Sequence, residues 1–355
     1  MKLFTQNMQF KHFFISLFFI LFFLEIQSQN VSIIGFEDFE IKNTSIRAIQ
    51  VINDSTVCFA GSKGKFGKIS NKKITLDSIT FDNKKLNFRS IAFNGKHIFI
   101  LSIENPAILY KINPFGDTFG LPEIVYQENH NNVFYDAMQF FDNKNGVAMG
   151  DPTNTCLSVL LTSDSGNSWQ KLACENLPSI IDGEAAFAAS NTNIAISGNK
   201  AWLVTGGKKA RVFYSDDLGL NWKAVQTPIT QGGKMTGIYT VDFFDENNGI
   251  IMGGNWKDKS NTHATKAITK DGGKTWNLIA KNELPGYISC VQYIPNTNGK
   301  AIMAVSTEGM FYSSNKGKLW HKISGKSYYT IQFINKNTAW LSGNNTIAKI
   351  QLQYN

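Results

Sequence analysis

Apolar residues in this chain come in short runs separated by polar turns. Phe134 to Gly150 and Gly237 to Gly253 align without a gap, with Phe140 on Phe243, Gly146 on Gly249 and Met149 on Met252. Each segment reads as strand, tight polar turn, strand, hence as two neighbouring antiparallel strands. Related units begin near Ile46, Phe88, Glu184, Ile288 and Tyr328, which makes seven in all. The chain beyond residue 28 then averages about 47 residues per unit, a size that fits a four-stranded propeller blade. The last unit, Tyr328 to Gln353, has room for only three strands, whereas Val31 to Ile41, ahead of the first unit, alternates partly like a strand. The pattern therefore predicts an all-β, seven-bladed β-propeller, one domain over 29–355. Its N-terminal strand closes the last blade and removes an exposed sheet edge.

A second repeat is more specific. Four segments share the order hydroxyl residue, any, Asp or Asn, any, Gly, two more, Trp. They are Thr162-x-Asp164-x-Gly166-x-x-Trp169, Ser215-x-Asp217-x-Gly219-x-x-Trp222, Thr269-x-Asp271-x-Gly273-x-x-Trp276 and Ser313-x-Asn315-x-Gly317-x-x-Trp320. The tryptophans lie 53, 54 and 44 residues apart. Physically each box is a hairpin turn. The carboxylate and hydroxyl can bond backbone N–H groups, Gly supplies positive φ, and Trp anchors the outgoing strand by burying a large ring. The same chemistry repeated around a ring marks turn staples rather than an active site.

These boxes resemble the Asp-box, or BNR, repeat of sialidase-like β-propellers. The stretch DFFDENNGIIMGG followed by ITKDGGKTW is similar to photosystem II stability/assembly factor-like propellers. GEAAFAASNTN, TGGKKARVFYS and YDAMQFFDNKNGVAMGDP are similar to an exported bacterial branch of that group. The likeness is clearest from Val133 to Trp320 and weakest in the first two units, where Lys63 to Ile69 and Leu109 to Phe119 carry no proper box. The resemblance implies a binding or assembly scaffold rather than an enzyme. It does not carry over the photosystem partner. An oxidoreductase reading has no motif behind it, since a glycine-rich dinucleotide loop and a C-x-x-C pair are both missing.

Residues 1–28 change the picture of where the chain works. Lys2 and Lys11 precede an apolar run from Phe13 to Leu24, Glu25 ends it, and Ser28 offers a small residue for cleavage. The run is short for a membrane span but has the form of a Sec-type signal peptide. It implies export to the periplasm or the outside and no membrane span after cleavage. The formal charge is +8, yet only Arg47, Arg89 and Arg211 are arginines. A nucleic-acid surface usually leans on arginine forks, so nucleic acid is not expected. The expected partner is an envelope or secreted protein, or a glycan, bound by a monomer without a cofactor.

The aligned units suggest where such a partner would sit. One position, at the opening of each unit's first strand, is filled by Arg47, Arg89, Asp136, Gly183, Tyr239, Ser289 and Tyr329. First strands surround the central channel of a propeller, so this position should form a ring near one mouth. Arg47, Arg89, Asp136, Tyr239 and Tyr329 are candidates for recognising an anionic or carbohydrate-like group; the alternative is that Arg47 and Asp136 satisfy one another. Loops on the same face add Asp151, Glu184, Arg211, Asn255, Trp256 and His263, the last three on the longest insertion between second and third strands. A glycoside hydrolase of sialidase type, with three arginines on a carboxylate and a Tyr–Glu pair, is the alternative function. No catalytic residue is assigned, and the five histidines show no metal-ligand spacing.

Cys156 and Cys174 flank the first box. If Thr162 faces Trp169 across the hairpin, Cys156 falls within one position of Cys174, so a disulfide is possible in an exported chain. Cys58 and Cys290 lie in strands of different units and are expected as buried free thiols.

Overall fold

The computed structural model describes residues 31–354, so the signal expected over 1–28 lies outside the described residues. Strands pair antiparallel into successive blades: the last and the first share one seven-stranded sheet, four blades are sheets of four strands, and the fifth is extended to six strands by Glu184–Ala185 and Gly206–Gly207, with Thr80–Phe81 and Lys84–Lys85 as a separate hairpin. The inner strands of the blades are the second half of Val31–Asn53, then Phe88–Phe93, Tyr135–Phe140, Ile194–Ser197, Thr236–Phe243, Cys290–Tyr293 and Thr330–Asn335. Strand Val31–Asn53 belongs to two blades. Residues from Val31 to Glu40 pair with the strand Asn344–Tyr354 of the seventh blade, while Ile46 to Asn53 pair with Thr56–Gly61 of the first. The chain is a β-propeller closed by its N-terminal strand.

Each sheet is apolar on both faces because it packs between two neighbours. Of the second strand of blade one, Val57 and Phe59 join Trp340 and Ile347 of blade seven. Cys58 and Ala60 instead join Phe88, Ile98 and Tyr110 of blade two. The period of two along the strand thus sends alternate side chains to opposite neighbours. Every one of the seven interfaces holds such a cluster of buried residues, so the ring of cores is continuous.

The four boxes are turns with a common hydrogen-bond plan. Thr162, Ser215, Thr269 and Ser313 each donate to the Asp or Asn two residues on, at 2.7–3.0 Å, and accept from the box glycine N–H at 2.9–3.0 Å. The four tryptophans are 5–7% exposed. Trp222, Trp276 and Trp320 also donate Nε1 to the glycine carbonyl. Each box also touches the preceding blade. A Cβ on Gly166 would meet Phe99 at 2.3 Å, and one on Gly273 would meet the Trp202 ring at 2.8 Å. At φ of 79° and 86° these positions require glycine. Blade one instead turns on Asn71 and Lys72, at φ of 47° and 67°.

The fourth unit starts later than its sequence pattern suggests. Glu184–Ala185 is not the start of an inner strand but a two-residue pairing with Gly206–Gly207. The inner strand is Ile194–Ser197, paired with Lys200–Val204. The ring position of blade four is therefore Asn193 rather than Gly183. Residues 183–193 are an insertion whose apolar composition imitates a strand.

Cys156 and Cys174 are bonded, with Cα atoms 5.5 Å apart, while Cys58 and Cys290 are free and buried. The hairpin register places Leu160 opposite Lys171 and Leu161 opposite Gln170, which brings the two cysteines together beyond its end. Replacing both with Ser is expected to lower stability by about 3 kcal/mol, the chain-entropy value for a loop of this length. Denaturant midpoints measure the loss. The unfolded, unreduced protein should titrate two free thiols, and four would refute the bond.

Candidate functional site

The ring position is a structural feature in its own right. In blades one, two, three and five the pairing slips by one residue at Arg47, Arg89, Asp136 and Tyr239. A bulge of this kind re-aims one side chain at the end of a strand. The seven inner strands thus present Arg47, Arg89, Asp136, Asn193, Tyr239, Ser289 and Tyr329 at one end of the channel. Gly183 does not take part.

What sequence reasoning missed is the insertion itself, which crosses that end of the channel. Asn191 donates Nδ2 to the Ile91 carbonyl at 2.8 Å and accepts from Met138 N–H at 3.1 Å. The Val241 N–H donates to Thr192 O at 2.9 Å. Phe187 stacks on the Tyr239 ring, with centroids 4.1 Å apart and planes within 10°. Tyr287 packs edge-on against Tyr239, with centroids 4.8 Å apart. One segment of blade four is therefore tied to blades two, three and five, and it plugs the mouth.

Both ring arginines hold this plug. Arg47 donates Nη1 to Ala189 O at 3.1 Å and Arg89 donates Nη1 to Ala188 O at 3.4 Å. The Arg47 guanidinium also lies 4.1 Å over the Tyr329 ring. Burial and the neighbouring Arg47 charge hold the Arg89 pKa below the usual guanidinium value. No ion pair joins Arg47 to Asp136 among the described residues. Asp136 and Asn193 are both 0% exposed; among the described residues the Asn193 amide has no hydrogen-bond partner, and the Asp136 carboxyl has only the nearby Ala188 N–H, without a well-formed bond to it. Arg47 Nε is unpartnered as well. Such atoms are few in a folded chain, and their gathering at one ring marks the mouth as unusual.

The carboxyl of Asp136 is pushed well above its ordinary value, first by burial and then by Asp151. Burial likewise pushes Asp151 up to about 6, although it accepts from the Ala186 N–H at 2.8 Å. The folded chain then holds protons that the unfolded chain has released. For Asp151 this contribution is full below pH 3.8 and fades as pH rises through about 6; Asp136 extends the loss higher. Asp136→Asn should therefore raise the melting temperature at pH 8 and leave it unchanged near pH 4. Parallel melting curves for variant and wild type across that range would refute a protonated Asp136.

The other candidate residues fall into two groups. Glu184 and Arg211 form a buried pair at 2.6 Å, with side chains 0% and 12% exposed, which ties down the chain leading into the plug. Asp151 holds the next turn of that chain. Asn255, Trp256 and His263 belong to the separate loop of blade five. Asn255 Oδ1 accepts from Lys257 N–H at 3.0 Å, Trp256 is 45% exposed beneath Lys259 Nζ at 5.4 Å, and His263 Nδ1 lies 3.0 Å from Asn282 Oδ1. The three arginines do not converge, since Arg211 is engaged by Glu184 and Ser179 O while Arg47 and Arg89 face the plug. Among the described residues no three His, Cys, Asp or Glu side chains gather as a metal cluster, and no helix is long and apolar enough to cross a membrane.

Fold and mouth together define a β-propeller with a self-plugged channel. No family model matches the chain, and no curated protein matches it. Solved structures do. YCF48 bound to D1 peptide is 12% identical with a TM-score of 0.64, covering 91% of this chain and 99% of that one. YCF48 from Cyanidioschyzon merolae is 11% identical with a TM-score of 0.60, covering 89% and 98%. The WD40 β-propeller domain of Doa1 is 11% identical with a TM-score of 0.61, covering 91% and 97%. At such identities the likeness bears on the fold alone.

Proposed function

We propose that this chain is an exported, non-enzymatic scaffold of the Asp-box, photosystem II assembly factor-like kind. In this reading it holds a polypeptide partner on the rim of its plugged face. The observation that carries the reading is the plug. The place where a propeller enzyme would gather its catalytic groups is filled by residues 187–193, with Arg47 and Arg89 bound to their carbonyls. Beside it, exposed Trp256 and Leu284 stand on adjoining loops joined through His263 and Asn282. Exposed aromatics on a braced loop are the usual anchors of protein recognition. The shape shared with a peptide-bound propeller supports the same class of partner. The disulfide supports an oxidising compartment.

The test is cross-linked capture by the tagged protein from its native envelope, comparing wild type with Trp256→Ala. A stoichiometric polypeptide held by wild type and lost by the variant, with unchanged melting, is the expected result. Turnover of a sialoside or another glycoside would overturn the reading in favour of a hydrolase. An Arg47→Ala, Arg89→Ala double variant asks about the ring itself. Lost capture in a folded variant places the plug and its arginines in the binding surface, and unchanged capture confines them to structure.

A further inference from the structure

A cavity lies away from the plug, at the opposite end of blades one and two. Later blades carry their boxes there. Blade two instead has a loop, residues 113–122, between the strands Ala107–Ile112 and Glu123–Glu128. The start of this loop leans on blade one and, with turns 52–56 and 70–73, encloses about 530 Å³. That volume lies within the range of small-ligand sites.

Its chemistry is specific. Lys68 is 5% exposed and lines the cavity. Its Nζ donates to Pro114 O at 2.7 Å and to Gly116 O at 2.6 Å, but no carboxylate pairs with it among the described residues. A buried ammonium normally has an acidic partner. Lys73 adds a second positive charge to the lining, against a single carboxylate, Asp117. Thr56 and Ser70 face one another across the strands, hydroxyl to hydroxyl at 2.8 Å, and Thr75 adds a third hydroxyl. Phe115 stands at the lip, 51% exposed, braced edge-on by Phe93 at 6.3 Å.

We propose that this cavity binds an acidic sugar unit of the uronic acid type. Each feature has a counterpart in that ligand. The lysines match its carboxylate. The hydroxyls, which both donate and accept, match its ring hydroxyls. The braced Phe115 ring offers a platform for the apolar C–H face of a pyranose. An inorganic anion would need the lysines only, and a neutral sugar the hydroxyls and the aromatic only.

Calorimetric titration of the intact protein with trigalacturonate, maltotriose and inorganic phosphate tests the assignment. Trigalacturonate should bind at least about tenfold more tightly than either of the others, as loss of a charged hydrogen bond predicts. Lys73→Ala should weaken it about tenfold by the same reasoning, and Phe115→Ala should also weaken it. Lys73 and Phe115 are exposed, so both variants should melt like wild type, whereas Lys68→Met is expected to loosen the loop as well. Phosphate binding as tightly as the sugar acid would reduce the cavity to an ion site and overturn the proposal. So would equal binding of maltotriose, or unchanged binding in both variants. Trp256→Ala should bind trigalacturonate like wild type, which separates this site from the partner rim.

Discussion

Arg211→Ala is expected to lower unfolding stability by about 3–5 kcal/mol, the cost of removing one member of a buried ion pair. Two contacts keep the remaining Glu184 carboxylate company, the Thr205 hydroxyl at 2.6 Å and the Ile181 N–H at 3.0 Å, and neither carries a charge. The variant should also speed amide exchange in 186–193, because Arg211 fixes the chain that leads into the plug through Glu184 and Ser179 O. A paired Glu184→Leu, Arg211→Met variant should recover most of the stability, since well-packed apolar groups can replace such a pair. Urea midpoints for the variants measure both effects. A single variant that unfolds within about 1 kcal/mol of wild type would show that the pair behaves like an exposed one.

Trp222→Ala should be of comparable size, about 3–5 kcal/mol, the range for deleting a large buried aromatic. The ring is 6% exposed, packs in the cluster between blades three and four, and donates Nε1 to Gly219 O at 2.7 Å. Its loss opens a cavity in the core between these two sheets. Below the lowered melting temperature the variant should still capture the partner, because the boxes lie at the far end of the strands from the plug. Wild-type melting with lost capture would mean that structure and function had been assigned to the wrong faces.

The sequence was most informative where local chemistry repeats. The box turns need a hydroxyl, an Asp or Asn, a glycine at positive φ and a buried indole, and each requirement leaves its residue in the pattern. The hairpin arithmetic from Thr162 and Trp169 likewise brought Cys156 within reach of Cys174. The first misplacement came at Glu184. There Glu-Ala-Ala-Phe-Ala-Ala looks like the apolar opening of a unit, but its side chains and carbonyls answer to groups about 50 to 150 residues away, Tyr239 and Arg47 among them. A segment fixed by distant partners has no short-range periodicity to betray it. The correct alignment of blade four rests on Ile194-Ala-Ile-Ser197 and the short turn after it, a weaker signal than the decoy ahead of it. The cavity beside Lys68 was hidden for a related reason. A lysine in a strand reads as solvent-facing until the loop that covers it is seen.

The strand shared by blades seven and one sets an order of events. Phe36 pairs with Ile350 and Ser32 with Gln353, contacts separated by nearly the whole sequence. Bringing such distant segments together carries the largest loop-closure entropy in the molecule. Contacts of this separation also slow folding. While the chain is incomplete, residues 31–41 offer unpaired N–H and C=O groups to any free edge they meet. Blades two to six can each dock on a finished neighbour, but the circle becomes one cooperative body only when the final eleven-residue strand, Asn344–Tyr354, arrives. A truncation there would not trim a terminus. It would leave two mismatched edges at the seam and convert a ring into an open, self-adhesive arc.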